Sequence, residues 1–242
     1  LFQALHEEHQ APWWEWPEPQ RDRHDDALHA LRTRLAERLS EIRFSQFLFF
    51  RQWATLKSYA NERGVRLFGD MPIFVAHDSA EVWAQRRFFH LDDQGQPDVV
   101  AGVPPDYFSA TGQRWGNPLY RWDTLREEGY AFWVDRVRTQ LSLYDLIRID
   151  HFRGFEAYWE IPASEPNAIQ GKWVKGPEDG LFDRLRECFG DLPLVAEDLG
   201  VITDEVRALR DRQAMPGMRI LQFAFSGGPD NPYLPFHHTP NS

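Results

Sequence analysis

The chain begins with a stretch that has no sustained hydrophobic period, followed by two stretches with apolar residues at helical spacing. Residues 1–19 are rich in Trp, Pro and His, which is typical of an irregular segment. The apolar positions of the helical stretches are Leu28, Leu31, Leu35 and Leu39, then Phe47, Phe50, Trp53, Leu56 and Tyr59. Gly64 is predicted to end the second helix as its C-terminal cap. Residues 1–42 are interpreted as an N-terminal irregular and helical segment.

Four later apolar runs have the length of buried strands, and helices are predicted between them. The strands are predicted at residues 65–75, 146–150, 192–197 and 218–225. Helices are predicted at residues 124–143 and 178–189, and after Thr203, whose side chain can cap a helix. This alternation indicates parallel strands joined by crossover helices, in either a doubly wound sheet or a (β/α) barrel.

Polar residues at the strand ends favour the barrel. No Gly-rich phosphate fingerprint follows any predicted strand, whereas Asp70, Asp150 and Glu197 lie at strand C-terminal ends. The fold class is predicted to be α/β, a partial (β/α)8 TIM-type barrel with an inserted irregular and helical subdomain. The chain supplies about four of the eight strands that such a barrel needs. We therefore expect residues 1–242 to be a fragment of a catalytic barrel domain, truncated at both ends.

The inserted subdomain is predicted at residues 78–123. It should contain a short capped helix after Asp78 and a hairpin around residues 93–96. So long an irregular insertion is usually functional. It contains the segments 102–108 (GVPPDYF) and 113–118 (QRWGNP).

Composition and charge exclude several classes of partner. The formal net charge is −10, which opposes binding to nucleic acid because that affinity depends on Lys and Arg. No apolar run is long enough to span a membrane. The single cysteine, Cys188, excludes an internal disulfide and fits a soluble, cytoplasmic protein. His77-Asp78 and His237-His238 lack a recognised metal-ligand spacing, and we expect no metal or other cofactor.

Strand 146–150 places a cation beside a carboxylate. Arg148 and Asp150 lie two residues apart and therefore on the same face of the strand. An adjacent Arg favours the ionised form of an aspartate, as a carboxylate nucleophile requires. A structural ion pair at the strand end is an equally simple explanation of this pattern.

Strand 192–197 ends in a glutamate after an almost wholly apolar run. Low polarity around Glu197, together with an ionised Asp150 nearby, should keep the glutamate protonated, so that it can serve as a general acid and then as a base. Retaining glycoside chemistry uses such a pair of carboxyl groups about 5–5.5 Å apart. Alternatively, Glu197 or Asp198 caps the following helix.

Several segments together resemble the signature blocks of amylomaltases, also called disproportionating enzymes or 4-alpha-glucanotransferases. These segments, in matching order and spacing, are 69–75 (GDMPIFV), 102–108 (GVPPDYF), 148–155 (RIDHFRGF) and 196–200 (AEDLG). The resemblance covers the chain from about Arg43 to Ser242. It implies that the protein transfers alpha-1,4-glucan segments between maltooligosaccharides by a retaining double displacement.

The resemblance also implies roles for individual residues. Asp150 would be the nucleophile and Glu197 the acid/base. The residues expected to contact substrate are Arg148, His151, Asp70, Asp106, Tyr107, Phe108 and Trp115. Tyr107 and Phe108 resemble a lid over the acceptor side, and Trp115 resembles an aromatic sugar platform. Without the resemblance, these aromatics could form a local cluster or anchor a loop, and Asp70 could form a turn.

The chain departs from the family pattern at its C-terminus. The family has a third aspartate in a Thr-His-Asp-Asn block, and this chain ends at residues 238–242 (HTPNS), just before that block. We therefore expect the 242 residues alone to be poorly stable and inactive. The alternatives to a glucanotransferase are an amylase-like hydrolase or branching enzyme, and a non-catalytic carbohydrate-binding fragment.

Overall fold

The computed structural model describes residues 1–225 and 227–238. Positions 226 and 239–242 lie outside the described residues. They include most of the C-terminal segment 238–242, which was expected to end just before the Thr-His-Asp-Asn block of the family. The chain divides into two compact units. The first unit comprises Leu1–Val65, Phe74–Leu125 and Trp159–Lys172, and the second comprises Arg66–Ile73, Arg126–Tyr158 and the described residues after Lys172.

The regular elements are numbered in chain order. The α-helices are α1 (Phe2–His9), α2 (Glu18–Arg21), α3 (Asp25–Arg34), α4 (Ala36–Asn61), α5 (Ala80–Ala84), α6 (Trp122–Glu127), α7 (Ala131–Leu143), α8 (Asp179–Phe189) and α9 (Asp204–Arg212). The strands are β1 (Phe68–Pro72), β2 (Val99–Val103), β3 (Gln113–Pro118), β4 (Leu146–Asp150), β5 (Ala157–Pro162), β6 (Lys172–Lys175) and β7 (Leu194–Ala196). Short 3-10 helices lie at Trp13–Glu15, Arg86–Phe88, Phe152–Phe155, Leu221–Phe225 and Pro235–His237.

The second unit contains a parallel sheet in the order β1-β4-β7. Its strands are in register, with Asp70 opposite Arg148 and Ile149 opposite Ala196. Exposure alternates along β1 and β4, so that one face of the sheet is buried and the other is partly exposed. Apolar side chains fill the buried face, where α7 contacts β1 and β4. Its buried apolar residues are Met71, Ile147, Ile149, Leu194 and Ala196.

Two close contacts fix the helical side of this sheet. Gly69 lies against the ring of Tyr144, and a Cβ at position 69 would come within 2.3 Å of that ring. The fully buried rings of Phe152 and Phe155 pack on Phe182 of α8, with centroid distances of 5.8 and 5.1 Å. The turn after β4 is therefore anchored to the helix that precedes β7.

The first unit contains most of a second sheet, in which β2 is the central strand of two antiparallel pairs. Strand β2 pairs with β3 on one side and with β5 on the other. Val100, Ile161 and Ala168 form a small buried cluster against which Trp159 packs. The indole N–H of Trp159 donates to the carbonyl of Ala168 at 3.0 Å, which ties the loop after β5 to the sheet.

The N-terminal residues of the first unit are more regular than predicted. Residues 1–19 contain α1 and the start of α2, each too short to give a sustained hydrophobic period. Trp13 is completely buried, and its indole N–H donates to the carbonyl of His77 at 2.8 Å. The early Trp-rich segment therefore contributes core residues to this unit.

Helix α4 differs from the prediction in its packing. It has 26 residues, of which Leu39 alone is buried. Its aromatic residues Phe44, Phe47, Phe50 and Tyr59 are each at least 45% exposed. The apolar spacing predicted the helix correctly. The burial that such spacing usually indicates is not found for α4 within the described residues. No helix in the described part of the chain has the length and apolar character needed to cross a membrane.

Several predicted elements are confirmed and others are wrong. The strand at residues 146–150 has the predicted bounds, and the short helix after Asp78 is α5, capped by Ser79. The predicted strand at 218–225 is wrong, because residues 221–225 form a 3-10 helix. The predicted helix 124–143 is interrupted between α6 and α7, where Gly129 and Tyr130 adopt positive φ angles. Strands and helices also do not alternate throughout, because an antiparallel sheet is present. The described structure is therefore mixed α/β with one parallel and one antiparallel sheet.

Candidate active site

The ends of the parallel strands gather polar side chains on the exposed face of the sheet. Because alternate side chains of a strand point to opposite faces, Arg148 and Asp150 lie on one face of β4 and the buried Ile147 and Ile149 lie on the other. Asp70 is in register with Arg148 and shares its face. Glu197 follows Ala196 and continues the ladder, since its N–H donates to the carbonyl of Ile149 at 3.0 Å. Asp150 and Glu197 are therefore adjacent across neighbouring strands.

Arg148 connects two of these carboxylates. Its Nη1 donates to both oxygens of Asp70, at 2.8 and 2.9 Å, and its Nη2 donates to Asp150 Oδ1 at 2.7 Å. Partial burial lowers the pKa of Arg148, but the hydrogen bonds and charges of Asp70 and Asp150 outweigh this effect, and the net shift is upward. One guanidinium thus fixes the orientation of Asp150 and balances part of its charge.

Glu197 is held by two backbone donors. Its Oε2 accepts from His151 N–H at 2.9 Å, and its Oε1 accepts from Leu199 N–H at 3.1 Å. Burial raises the pKa of Glu197 and the charge of Asp150 adds to the increase, whereas the two N–H donors and Arg148 oppose it. The net shift is upward, which is the direction expected from the apolar strand. Neither Glu197 nor Asp198 caps α9, whose N-cap residue is Thr203.

His151 forms the turn between β4 and the following 3-10 helix. Its φ of 55° lies in the left-handed region, and this conformation directs its backbone N–H to Glu197. Burial, followed by the charge of Arg153, lowers the pKa of the His151 side chain to about 4. The imidazole is therefore neutral at pH 7. The backbone N–H of His151 contacts the acidic cluster through its bond to Glu197.

The first unit contains the four predicted site residues of segment 78–123. Asp106 Oδ1 accepts from the N–H groups of Phe108 and Ser109, at 2.9 and 2.8 Å, and so forms a tight turn. This turn leaves Tyr107 and Phe108 97% and 83% exposed. Trp115, on β3, is half-exposed, and its indole N–H donates to Gln113 Oε1 at 3.1 Å. Asp70, Arg148, Asp150, His151 and Glu197 are together in the second unit.

The comparisons with known proteins agree with these motifs. Residues 1–242 match the model of glycoside hydrolase family 77, described as 4-alpha-glucanotransferase. The chain belongs to this family. The resemblance found in the sequence motifs is thereby confirmed.

Individual members of the 4-alpha-glucanotransferase family are similar over nearly the whole chain. The enzyme of Thermus thermophilus is 59% identical over 98% of this chain, which covers 48% of that relative. The relative from Synechocystis is 50% identical over 99% of this chain, again covering 48% of the relative. A structure of amylomaltase from Streptococcus agalactiae in complex with acarbose superposes with a TM-score of 0.95 and 39% identity, covering 100% of this chain and 49% of that one. The chain thus spans about half the length of the curated relatives it matches.

Two charged residues beside the site were not predicted from sequence. Asp198 is buried and accepts from Arg210 Nη1 and from Met218 N–H, the latter at 2.8 Å. Arg153 is buried and donates from Nη1 to the carbonyl of Val201. Both residues occur within motifs quoted above, but neighbouring letters in a sequence do not indicate partners 12 to 48 positions away.

One group in the described residues has the composition of a metal site. Ligand atoms of Glu18, Asp22 and His24 lie within 4.8 Å of one another in the first unit. Asp22 already pairs with Arg21 and Arg86, and the hydrogen bond from Arg21, against the opposing effect of burial, lowers its pKa to about 2. The two guanidinium groups therefore satisfy the carboxylate that would otherwise attract a cation.

Proposed function

We propose that the full-length protein containing these residues is a 4-alpha-glucanotransferase, with Asp150 as nucleophile and Glu197 as acid/base. The observation that carries the proposal is the adjacency of Asp150 and Glu197 at the ends of paired strands. Neighbouring strands are about 4.8 Å apart, which suits the separation of about 5–5.5 Å used by retaining enzymes. The different environments of the two carboxyls fit their different roles.

The proposed reaction has two displacements. In the first, an Asp150 oxygen attacks the anomeric carbon of the donor, the glycosidic C–O bond breaks, and the Glu197 proton passes to the leaving oxygen. This gives a covalent glucosyl-enzyme and a Glu197 carboxylate. In the second, a hydroxyl of an acceptor glucan attacks the same carbon, its proton passes to Glu197, and Asp150 is released. Arg148 positions Asp150, and Asp70 supports Arg148.

We also propose that the parallel sheet is part of a (β/α)8 barrel. One face of the sheet is buried, with α7 packed on β1 and β4, and the other face carries the charged cluster, as expected for a barrel wall. In this proposal the cluster faces the barrel interior at the C-terminal ends of the strands, where active sites of this fold are found.

The inserted residues are proposed to favour transfer over hydrolysis. Tyr107 and Phe108 are presented to solvent by a tight turn, as aromatic groups that bind sugar rings would be. Excluding water from the covalent intermediate favours attack by a sugar hydroxyl. Asp106, Trp115 and His151 are proposed to contact the bound alpha-1,4-glucan or maltooligosaccharide. The negative charge fits a neutral sugar ligand, and a cytoplasmic location without nucleic-acid binding remains part of the proposal.

Disproportionation of maltotriose by the full-length protein tests the proposal. A transferase produces glucose together with chains longer than maltotriose, whereas an amylase-like hydrolase produces only shorter sugars. Asp150→Asn and Glu197→Gln should each abolish formation of the longer chains. Unchanged activity in either variant would refute the assignment of that residue, and a product mixture lacking longer chains would refute transfer.

A further inference from the structure

Three consecutive residues after Asp150 donate hydrogen bonds to Glu197 and the loop that follows it. His151 N–H donates to Glu197 Oε2 at 2.9 Å, and Phe152 N–H donates to the Glu197 carbonyl at 3.1 Å. The side chain of Arg153 donates to the Val201 carbonyl. The first two bonds come from the backbone, so Arg153 supplies the one side-chain bond of the series.

Arg153 is buried, which is uncommon for a charged side chain. It is 6% exposed, and its guanidinium stacks on the ring of Trp173 with a distance of 3.9 Å to the ring centroid. Burial lowers the pKa of Arg153, and the charge of Glu156 partly opposes this shift. Burying a cation costs free energy that an apolar side chain of similar volume would avoid. This cost suggests that the bond to Val201 has a role beyond stability.

The bond to Val201 acts on the loop that completes the environment of Glu197. Leu199, two residues before Val201, provides the N–H that binds Glu197 Oε1 at 3.1 Å. Gly200 lies between them with a φ of 87°, in a region that glycine adopts readily. With Glu197 at one end and Val201 at the other, the loop is short enough that an anchor at Val201 limits where Leu199 can lie.

We propose that Arg153 is a positioning residue that keeps the Leu199 N–H on the Glu197 carboxyl group. The inference rests on the proposed function, because it assumes that Glu197 donates and accepts a proton. In the first displacement Glu197 becomes a carboxylate, and the Leu199 N–H stabilises that carboxylate. Arg153 therefore favours proton donation without contacting the sugar.

The proposal predicts a direction for the pH dependence. The groups around Glu197 are Asp150 and Arg148 on β4, the backbone N–H groups of His151 and Leu199, and the adjacent Asp198, which is paired with Arg210. Loss of the Leu199 N–H removes a contact that lowers the pKa of Glu197, so this pKa should rise. Because the acid form is then kept to higher pH, the alkaline limb of the activity profile should move upward.

The test compares two glycosyl donors, maltotriose and α-maltotriosyl fluoride, with variants of the full-length protein. Arg153→Met removes the hydrogen-bond donor but keeps an apolar stem, and Arg153→Lys keeps the charge. Arg207→Met is the control, because Arg207 is an exposed residue on α9. Maltotriose needs a proton on its leaving oxygen, whereas α-maltotriosyl fluoride needs little proton assistance. For Arg153→Met we expect kcat/KM with maltotriose to fall roughly 10- to 100-fold. With the fluoride it should fall by no more than about twofold, because general acid catalysis is then not required.

The expected result also includes an alkaline limb at higher pH in Arg153→Met, a smaller loss in Arg153→Lys, and no change in Arg207→Met. An equal loss with both donors, or an unmoved alkaline limb, would overturn the role of Arg153. Failure of both Arg153 variants to fold would assign the residue to stability and would also overturn the proposal. Glu197→Gln separates the two levels of inference: if this variant keeps full activity with maltotriose, the proposed function itself fails, whatever Arg153 does.

Discussion

The buried carboxylate of Asp198 allows a quantitative test of how the end of β7 is held. Its side chain is 3% exposed and pairs with Arg210, whose side chain is 13% exposed. Removing one partner of a buried ion pair costs about 3–5 kcal/mol. Arg210 also donates to the exposed Asp211, so its charge keeps one partner when Asp198 is neutralised. Asp198→Asn should therefore lower the free energy of unfolding by less, about 2–3 kcal/mol.

Asp198→Ala should be more damaging because it also removes the acceptor of the Met218 N–H. An unsatisfied buried donor costs about 1–3 kcal/mol, whereas the Asn side chain keeps an oxygen in that place. The Ala variant should accordingly be about 1–2 kcal/mol less stable than the Asn variant. Asp204→Asn is the matched control, since Asp204 is 96% exposed and its pair with Arg207 should contribute no more than about 1 kcal/mol.

Urea unfolding of the full-length protein, followed by tryptophan fluorescence, measures these differences through the transition midpoint. From most to least stable, the expected order is wild type, Asp204→Asn, Asp198→Asn and Asp198→Ala. The reasoning is refuted if Asp198→Asn is as stable as Asp204→Asn. It is also refuted if Asn and Ala at position 198 have the same effect, because the Met218 contact would then contribute nothing.

Three further predictions concern proton binding and the insertion. Burial raises the pKa of Glu197, so the alkaline limb of kcat/KM for the full-length protein should lie above the ordinary glutamate pKa of 4.5. A pH profile in which Glu197 loses its proton at or below pH 4.5 would contradict this prediction. His151 has its pKa lowered from 6.5 to about 4, so its contribution to stability is complete above pH 6.5 and is lost as pH falls through 4. This contribution is about 3 kcal/mol. Between pH 7 and pH 4 the free energy of unfolding should therefore fall by that much more in the wild type than in His151→Gln. Parallel plots of unfolding free energy against pH for the two proteins would exclude this contribution. Replacing Tyr107 and Phe108 together by Ala should raise the ratio of hydrolysis to transfer severalfold while changing stability by less than about 0.5 kcal/mol, since both side chains are exposed; an unchanged product ratio would count against the proposed lid.

The sequence predicted best those elements whose residues carry their own pattern. Strand β4 is an apolar run that ends at Asp150, and its predicted bounds match the structure. Residues 218–225 are also apolar, yet Phe223 and Phe225 are 43% and 86% exposed and belong to a 3-10 helix. An apolar run alone does not determine whether a neighbouring strand is available for pairing. Strand β3 was not predicted because it is rich in polar, Gly and Pro residues. Strand β2 was not predicted although it is apolar, and its pairing with β5 joins residues far apart in the sequence, such as Val100 and Ile161.

The candidate site was predictable to the extent that motifs identify residues. Asp150, Glu197 and Arg148 were found in the sequence, and alternation along β4 correctly predicted that Arg148 neighbours Asp150. The second partner of Arg148, Asp70, depends on the register between β1 and β4, which the sequence does not specify. For the same reason, the partners of Arg153 and Asp198 could be found only in three dimensions.

The shared guanidinium of Arg148 has a consequence for the charge of the site during the proposed reaction. With Asp70 and Asp150 ionised, the three side chains carry one net negative charge, which complements the positive charge that develops on the anomeric carbon. Once Asp150 forms its ester bond to the sugar, that negative charge is consumed, and Arg148 and Asp70 remain as a neutral pair. The intermediate therefore leaves no unbalanced charge among these three residues while it waits for an acceptor.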